Sequence, residues 1–370
     1  MPFAGSPGIQ ETFASSYATT AWVLLLVPAL AGLLLEPLIF LAADRWPRRH
    51  FVRAGLAGMA LSALAAALAP GPLSLSLALS FSFVAAGTGV ALAQGTLADL
   101  YPQRREQMMT RWALMGLAGD LVGPALLAAL AMLGLGWRAA FGVVAGVLAL
   151  WTLLLFRPFP ELPRPLDDED DSPGLLAALK LALGDRRLML WLGATAFCDL
   201  LDEILVVFAS LHLRDHLGAG PTERAVVLGA SIVGGAAGVL WSERLLRRHA
   251  PLKVLAGFAA ACVVSYLVWL VMPTWWLSAL LMLAVGAAAS PLYPIAVAQA
   301  YAALPGRSGA VNAAGHLFTP LAMALPWLLG RLADHAGTTA ALLVLVAEPL
   351  ALFLIAVRMI DRDPTPPWKR

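Results

Sequence analysis

The sequence predicts an all-α membrane protein with two repeated halves and about eleven transmembrane helices. Of its 370 residues, 60% are hydrophobic and 13% are charged, and the mean hydropathy of +0.79 is far above that of a soluble domain. The apolar residues form long Leu- and Ala-rich runs, which predict helices rather than the short alternating strands of a barrel. A basic stretch at 44–50 returns at 243–249, shifted by 199 residues, and this repeat divides the chain into homologous halves.

Apolar runs bounded by charged residues, proline or glycine define the predicted spans. A bilayer core of roughly 30 Å takes about 20 helical residues, so each run can cross it once. The predicted spans are 21–43, 51–70, 72–98, 111–135, 138–157, 188–213, 225–242, 251–272, 274–302, 309–333 and 338–358. They group into an N-terminal half of five spans (1–157), a cytoplasmic linker (158–187) and a C-terminal half of six spans (188–370).

The lysines and arginines predict on which side of the membrane each loop lies. When the first basic stretch is assigned to the cytoplasm, all 25 fall on that side except Arg138, Arg214, Arg224 and Arg331. Cytoplasmic loops carry an excess of these residues. We therefore expect an integral protein of the cell membrane, plasma or inner, with its C-terminus in the cytoplasm.

The repeat extends beyond the basic stretch. The repeated charges are Asp44, Arg45, Arg48 and Arg49 in the first copy and Glu243, Arg244, Arg247 and Arg248 in the second. Near the ends of corresponding spans, Gln94 aligns with Gln299. Asp120 aligns with His316, in segments that share a glycine, a leucine and a proline. The span 188–213 would have most of its partner before Met1, so we expect the first half to lack its first helix.

These features resemble the major facilitator superfamily of secondary transporters. That family has two six-helix halves, a long middle loop and a basic loop of the form Gly-x-Leu-Ala-Asp-Arg-x-Gly-Arg-Arg/Lys between the second and third helices of each half. The residues that match the loop are Asp44, Arg45, Arg48 and Arg49. Phe40 and Pro47 stand at its glycine positions. The resemblance covers nearly the whole chain and implies a two-bundle fold of six plus six helices without the first.

The resemblance also implies how the protein works. Members of the family move a small molecule by alternating access, and the acid and arginines of their basic loop form a cytoplasmic gate. We assign the gate to both copies of the loop; the alternative is that the arginines only set the topology. Gly119, Gly123 and Pro124 match a fifth-helix signature of drug-type antiporters, which favours export, and Leu127 and Ala128 replace the last two glycines of that signature.

Three acids in one predicted span are the main candidates for proton coupling. Asp202 and Glu203 follow Asp199 by three and four positions, which puts the three acids along one helical face. An ionised side chain at the bilayer centre costs at least about 2.5–3.5 kcal/mol, so these acids must line a wet cavity, pair with cations or share protons. Neighbouring carboxylates also raise one another's proton affinity. The alternative is a polar face packed against other helices.

Two further acids precede prolines within predicted spans. A proline frees a carbonyl group and bends a helix, so Glu36 and Glu348 are candidates for hinges that carry a protonatable group. We favour that role for Glu36 and an ordinary interfacial charge for Glu348. The family's helix arrangement predicts a contact between Glu36 and His316, with Asp120 as the matching acid in the other repeat. Imidazole titrates near neutral pH, which suits a proton relay; the alternative is that His316 is only hydrogen-bonded.

These observations predict a proton-coupled secondary transporter of a small molecule. Gln94, Gln299 and Asn312 are polar groups suited to recognising that substrate from a cavity wall. We expect the lipid bilayer and the coupling proton as further partners, no nucleic acid, and a monomer. Because the chain shows neither a catalytic constellation nor metal-ligand spacing, we expect no enzyme activity, no cofactor and no metal. The alternatives are a lipid or amphiphile flippase on the same fold and a truncated, non-transporting membrane scaffold.

Overall fold

The computed structural model describes residues 6–14, 19, 22–155, 175–199, 201 and 204–362, without the side chains of 6–8, 22, 25, 120, 124, 175, 176, 199, 361 and 362. All regular secondary structure in these ranges is helical. The helices before the linker are α1 (Ser6–Phe13), α2 (Val27–Ala43), α3 (Arg48–Ala67), α4 (Pro72–Ala86), α5 (Leu92–Leu100), α6 (Arg105–Met132) and α7 (Trp137–Leu154). The later helices are α8 (Leu175–Gly184), α9 (Arg186–Asp199), α10 (Leu205–Leu217), α11 (Pro221–Leu246), α12 (Pro251–Leu270), α13 (Trp275–Ala289), α14 (Leu292–Ala303), α15 (Ser308–Gly315), α16 (Thr319–Ala336), α17 (Thr338–Leu345) and α18 (Ala347–Arg362).

Proline and glycine set many of the helix ends. Pro72, Pro221 and Pro251 are the first residues of their helices, where the missing N–H would have no helical partner. Gly218 ends α10 with a φ of +62°, and Gly337 separates α16 from α17 with a φ of +85°. Other residues rarely adopt these values, so glycine is needed at both turns.

Several spans consist of two helices joined by an irregular turn. The π-helical turn Gly87–Ala91 joins α4 to α5, and the 3₁₀ turn His316–Phe318 joins α15 to α16. Another π-helical turn, Trp22–Leu26, leads into α2. Such turns change the hydrogen-bond register of the backbone and are frequent at functional sites. Hydropathy predicted the spans but not these interruptions.

The predicted spans are present in the structure. Within its described residues, nine runs of helix are long and apolar enough to cross a membrane. These runs are Arg48–Ala67, Pro72–Leu100, Pro102–Met132, Trp137–Leu154, Pro221–Leu246, Pro251–Leu270, Trp275–Ala303, Ser308–Ala336 and Thr338–Ile360. The predicted span 21–43 contains the shorter apolar helix α2, and the predicted span 188–213 contains most of α9 and most of α10. The expected all-α membrane fold with about eleven spans is confirmed.

The chain forms two compact units that do not follow the sequence halves. Unit 1 is Met1–Leu100, Ala118–Gly184 and Leu304–His316; unit 2 is Tyr101–Leu117, Asp185–Ala303 and Leu317–Arg370. Each unit therefore contains a short segment of the other half. The residues of that segment contribute to the candidate site of each unit.

In unit 1, the short helix α1 packs against the start of α7. Thr12 Oγ1 accepts a hydrogen bond from Trp137 Nε1 at 3.0 Å. Under the shift of 199 residues, Ser6–Phe13 corresponds to the first eight residues of α10. In unit 2, α10 ends against the start of α17 in a comparable way, with His216 Nε2 3.1 Å from Thr339 Oγ1. The two repeats thus share this packing arrangement.

Candidate functional site

The first candidate site lies in unit 1, where the basic loop meets the start of α15. The carboxylate of Asp44, directly after α2, accepts hydrogen bonds from the backbone N–H groups of Gly309 at 2.9 Å and Ala310 at 2.7 Å. The first N–H groups of a helix have no helical partner, and the helix dipole makes that end attractive to anions. Burial raises the pKa of Asp44, while the charge of Arg48 and the two N–H donors oppose that rise.

Arg48 joins this contact to a second carboxylate. Its guanidinium is 2.6 Å from Asp44 Oδ1 and 2.6 Å from Asp99 Oδ2, and its side chain is only 7% exposed. Asp99 also accepts hydrogen bonds from Ser308 Oγ at 2.8 Å and from the N–H of Gly306 at 3.2 Å. The two carboxylates therefore hold both the arginine and the beginning of α15. We call Asp44, Arg48 and Asp99 the basic-loop cluster.

Close packing at Gly309 makes the basic-loop cluster possible. A Cβ on Gly309 would clash with the carbonyl oxygen of Phe40 and lie 2.7 Å from the carboxyl of Asp44. Asp44 and Arg48 were predicted from the sequence, whereas Asp99 and Ser308 were not. The basic motif does not indicate Asp99 or Ser308, because both are distant from it in the sequence and only the fold brings them close.

The second copy of the loop, in unit 2, is more exposed. Glu243 Oε1 accepts hydrogen bonds from Arg111 at 2.7 Å and from Arg247 at 2.9 Å, and these arginine side chains are 50% and 58% exposed. Gln107 Nε2 donates to the carbonyl oxygen of Leu246 at 3.4 Å. The remaining arginines assigned to the two loops, Arg45, Arg49, Arg244 and Arg248, have exposed side chains.

The second candidate site in unit 1 joins Glu36 of α2 to His316 after α15. His316 Nε2 lies 3.1 Å from Glu36 Oε2, so the contact predicted from the sequence is present. The side chain of Glu36 is 7% exposed and that of His316 is 18% exposed. An imidazole and a carboxyl at this distance can share one proton, and a proton on the pair changes its net charge. We call these two residues the Glu36–His316 pair.

Small residues and an aromatic ring enclose the Glu36–His316 pair. A Cβ on Gly87, the first residue of the π-helical turn, would clash with the carboxylate of Glu36. The ring of Phe40 lies 5.5 Å from that of His316 between centroids. Asn312 Nδ2 donates to the carbonyl oxygen of Ala91 at 3.2 Å, at the other end of the same turn. The irregular turn therefore provides both the space for the carboxylate and a hydrogen-bond acceptor for Asn312.

The two predicted glutamines have different surroundings. Gln94 and Gln299 are both buried. Gln299 Nε2 donates to Glu106 Oε1 at 2.8 Å within unit 2. Glu106 was not predicted, because it lies before the predicted span 111–135 and far from Gln299 in the sequence. The Gln299 amide is thus oriented by an acid that only the fold brings near it.

The three acids predicted to couple transport fall largely outside the described residues. Asp202 and Glu203 are not among them, and the side chains of Asp199 and Asp120 are not described. Their roles stay predictions.

The prediction that Glu348 is an interfacial charge is wrong. It is only 2% exposed, and its Oε2 accepts a hydrogen bond from the backbone N–H of Leu201 at 3.0 Å. The interfacial prediction overlooked that Glu348 lies at the centre of the predicted span 338–358. Its burial follows from the packing of α18 against α9 and α12.

Comparison with known proteins agrees with the two-repeat architecture. A family model described as Major Facilitator Superfamily matches residues 1–201 and again residues 192–370. No curated protein matches the sequence. Among solved structures, the E. coli fucose:proton symporter superposes with a TM-score of 0.79 at 15% identity, covering 96% of this chain and 95% of that one.

Two further structures show the same fold. A bacterial homologue of the iron transporter ferroportin gives a TM-score of 0.74 at 17% identity, covering 98% of this chain and 94% of that one. A proton:xylose symporter gives 0.73 at 15% identity, covering 97% and 91%. At such identities the likeness concerns the fold alone, whereas the family model matches the sequence itself. Since its two matches cover the whole chain, one for each repeat, the protein belongs to the Major Facilitator Superfamily of transporters.

Proposed function

We propose that the protein is a proton-coupled secondary transporter that moves a small molecule across a cell membrane by alternating access. The observation that carries the proposal is the Glu36–His316 pair, a nearly buried carboxyl beside an imidazole at 3.1 Å. Burying an ionised group in an apolar region is costly, so a proton on the pair strongly changes its free energy. A transporter needs such a group, because a bound proton must favour one conformational state over another.

The basic-loop cluster is the proposed cytoplasmic gate. Hydrogen bonds to charged groups are roughly twice as strong as neutral ones, and Asp44 and Asp99 make several of them to Arg48 and α15. Breaking and remaking this cluster would accompany each transport cycle. The Glu243 contacts in unit 2 would play the corresponding part with weaker, more exposed pairs.

We favour export as the direction of transport. Gly119, Gly123 and Pro124 match the fifth-helix signature of drug-type antiporters.

Two of the solved structures with this fold are named as proton symporters, for fucose and for xylose, which supports the proton as the coupling ion. Gln94, Gln299 and Asn312 remain the proposed substrate-recognition groups, and the protein is proposed to act as a monomer.

The test is a flux assay in proteoliposomes with a panel of small molecules and an imposed pH gradient. We expect the gradient to accelerate flux in the wild type and to have no such effect in Glu36→Gln. In His316→Ala we expect the pH profile of transport to shift, because the carboxyl loses the group with which it shares a proton. His335→Ala is the matched control, since His335 is exposed in the last turn of α16 and belongs to neither candidate site. Unchanged gradient dependence in both site variants would contradict the proposal.

A further inference from the structure

We propose that Glu348 is a second proton-binding residue, located in unit 2, and that its protonation weakens the link between α18 and the backbone of Leu201. This inference rests on the proposed proton coupling and adds a residue that the Glu36–His316 pair does not include. Glu348 is 2% exposed and accepts the hydrogen bond from the N–H of Leu201 at 3.0 Å. It therefore links the last span directly to the backbone of another span.

The two spans that this hydrogen bond links both have irregular backbone close to it. The helix α9 ends at Asp199 and α10 begins at Leu205, and Leu201 and Ile204, between them, have π-helical geometry. In the other span α17 ends at Leu345 and α18 begins at Ala347, one residue before Glu348. Irregular backbone at membrane depth is tolerated only where protein groups or water satisfy its hydrogen bonds. Glu348 supplies one such partner for Leu201.

Tyr266 of α12 supplies another partner at the same place. Its hydroxyl donates to the carbonyl oxygen of Leu342 at 3.0 Å, while the N–H of Val346 donates to Leu343 at 3.2 Å, a tighter turn than that of an α-helix. Tyr266 and Cys262 are the titratable neighbours of Glu348 on α12. Along the chain, Asp199, Asp202 and Glu203 are the titratable residues next to Leu201.

The first repeat shows that the fold itself does not require the break before Glu348. Its last helix, α7, corresponds to α17 and α18 but runs unbroken from Trp137 to Leu154. That helix contains no acid, and Arg138 is its only charged residue. Glu348 and the break before it are therefore specific to the second repeat. A feature that one repeat lacks without loss of the fold is better explained by function than by packing.

A change of charge on Glu348 alters the contact with Leu201. The ionised carboxylate is a strong, acceptor-only partner for the N–H group, and a hydrogen bond to a charged group is roughly twice as strong as a neutral one. When the carboxylate takes a proton from water, the bond weakens and the carboxyl gains a donor of its own. The backbone at Leu201 is then held less firmly. Release of the proton to water restores the first arrangement.

The test compares Glu348→Gln with Glu223→Gln. Glutamine keeps the shape and an acceptor oxygen but cannot bind a proton in this pH range, so the variant is expected to fold. Glu223 is the matched control, because its carboxylate also accepts one backbone N–H bond, from Gly220 at 2.7 Å, but at the start of α11. Infrared difference spectra of the purified protein between high and low pH report the carboxyl groups that bind protons. We expect one carboxyl signal to be lost in Glu348→Gln and to persist in Glu223→Gln.

A second measurement connects the residue to transport. Gradient-driven flux in Glu348→Gln should fall by about tenfold, while exchange without a gradient stays within about twofold of the wild type, as for loss of a coupling free energy. Identical infrared spectra in Glu348→Gln and the wild type would overturn the inference. The spectra do not depend on flux, so a wild type that ignores the gradient would refute the proposed function while this test of Glu348 still stands.

Discussion

Arg48 and Glu243 show how the same motif has different energetic consequences in the two repeats. Arg48 is 7% exposed and bridges two carboxylates. Glu243 instead meets two arginines that are at least half exposed to solvent. Removing one partner of a buried ion pair leaves a charge without compensation, whereas solvent screens an exposed pair.

We therefore predict unequal effects from removing one acid in each cluster. Asp99→Ala should lower the free energy of unfolding by about 3–5 kcal/mol, because Arg48 stays buried with one carboxylate instead of two. Glu243→Ala should cost no more than about 1 kcal/mol. Thermal unfolding of the purified variants in one detergent measures both. Equal shifts in the two midpoints would show that burial does not distinguish the clusters.

At the scale of residues, the sequence predicted those site members that carry a signal of their own. Asp44 and Arg48 belong to a repeated motif, and Glu36 and His316 are conspicuous as titratable residues in apolar spans. Asp99, Ser308 and Glu106 were missed, because each acts through a partner distant in sequence. Glu348 was recognised and misinterpreted, since hydropathy reports position along a span but not which neighbour the side chain meets.

Glycines control the closest helix packing in unit 2. On α11, a Cβ at Gly234 would clash with the carbonyl oxygen of Leu283, and a Cβ at Gly238 would clash with that of Ala287, both on α13. Small residues let helix backbones approach closely, which matters in a membrane because lipid offers no hydrophobic driving force for association. Gly257 of α12 differs, since a Cβ there would meet open space.

We predict opposite results from one substitution at two glycines. Gly238→Ala should destabilise the protein by about 1–3 kcal/mol, because its methyl group forces α11 and α13 apart. Gly257→Ala should be neutral or stabilise by up to about 1 kcal/mol, through the higher helix propensity of alanine. Unfolding midpoints in detergent test this, with Gly257→Ala as the control for a change in propensity alone. A midpoint for Gly238→Ala at or above that of the wild type would contradict the close approach.

At the scale of helices, the spans were predictable and their interruptions were not. Long apolar runs identify spans because lipid demands about 20 apolar residues in a row. The π-helical turn at Gly87–Ala91 and the break before Ala347 depend on which tertiary partners accept or donate the freed backbone hydrogen bonds. Tyr266 and Asn312 provide such partners, and composition alone does not reveal them. The candidate residues Glu36 and Glu348 lie at these two interruptions.

The two repeats have the same order of helices but concentrate polar groups in different places. The first repeat buries its basic-loop cluster and the Glu36–His316 pair. The second has an exposed loop and places its buried acid, Glu348, in the last span. Because duplication sets the helix order and later substitution sets the chemistry, the sequence repeat predicts the fold far better than it predicts the site.

The repeat also makes a prediction about the molecule as a whole, since duplicated loops of equal charge should lie on one side of the membrane.

That prediction can be tested by labelling single cysteines in membranes of known orientation. Arg49→Cys and Arg248→Cys should react with a membrane-impermeant maleimide only from the cytoplasmic side, because both loops carry the repeated arginines. Thr222→Cys, at the start of α11, should react only from the opposite side. All three positions are exposed, and the native Cys198 and Cys262 are buried, so the background should be low. Labelling of Arg49→Cys and Arg248→Cys from opposite sides would mean that the halves are inverted repeats. The two basic loops could then not form one cytoplasmic gate.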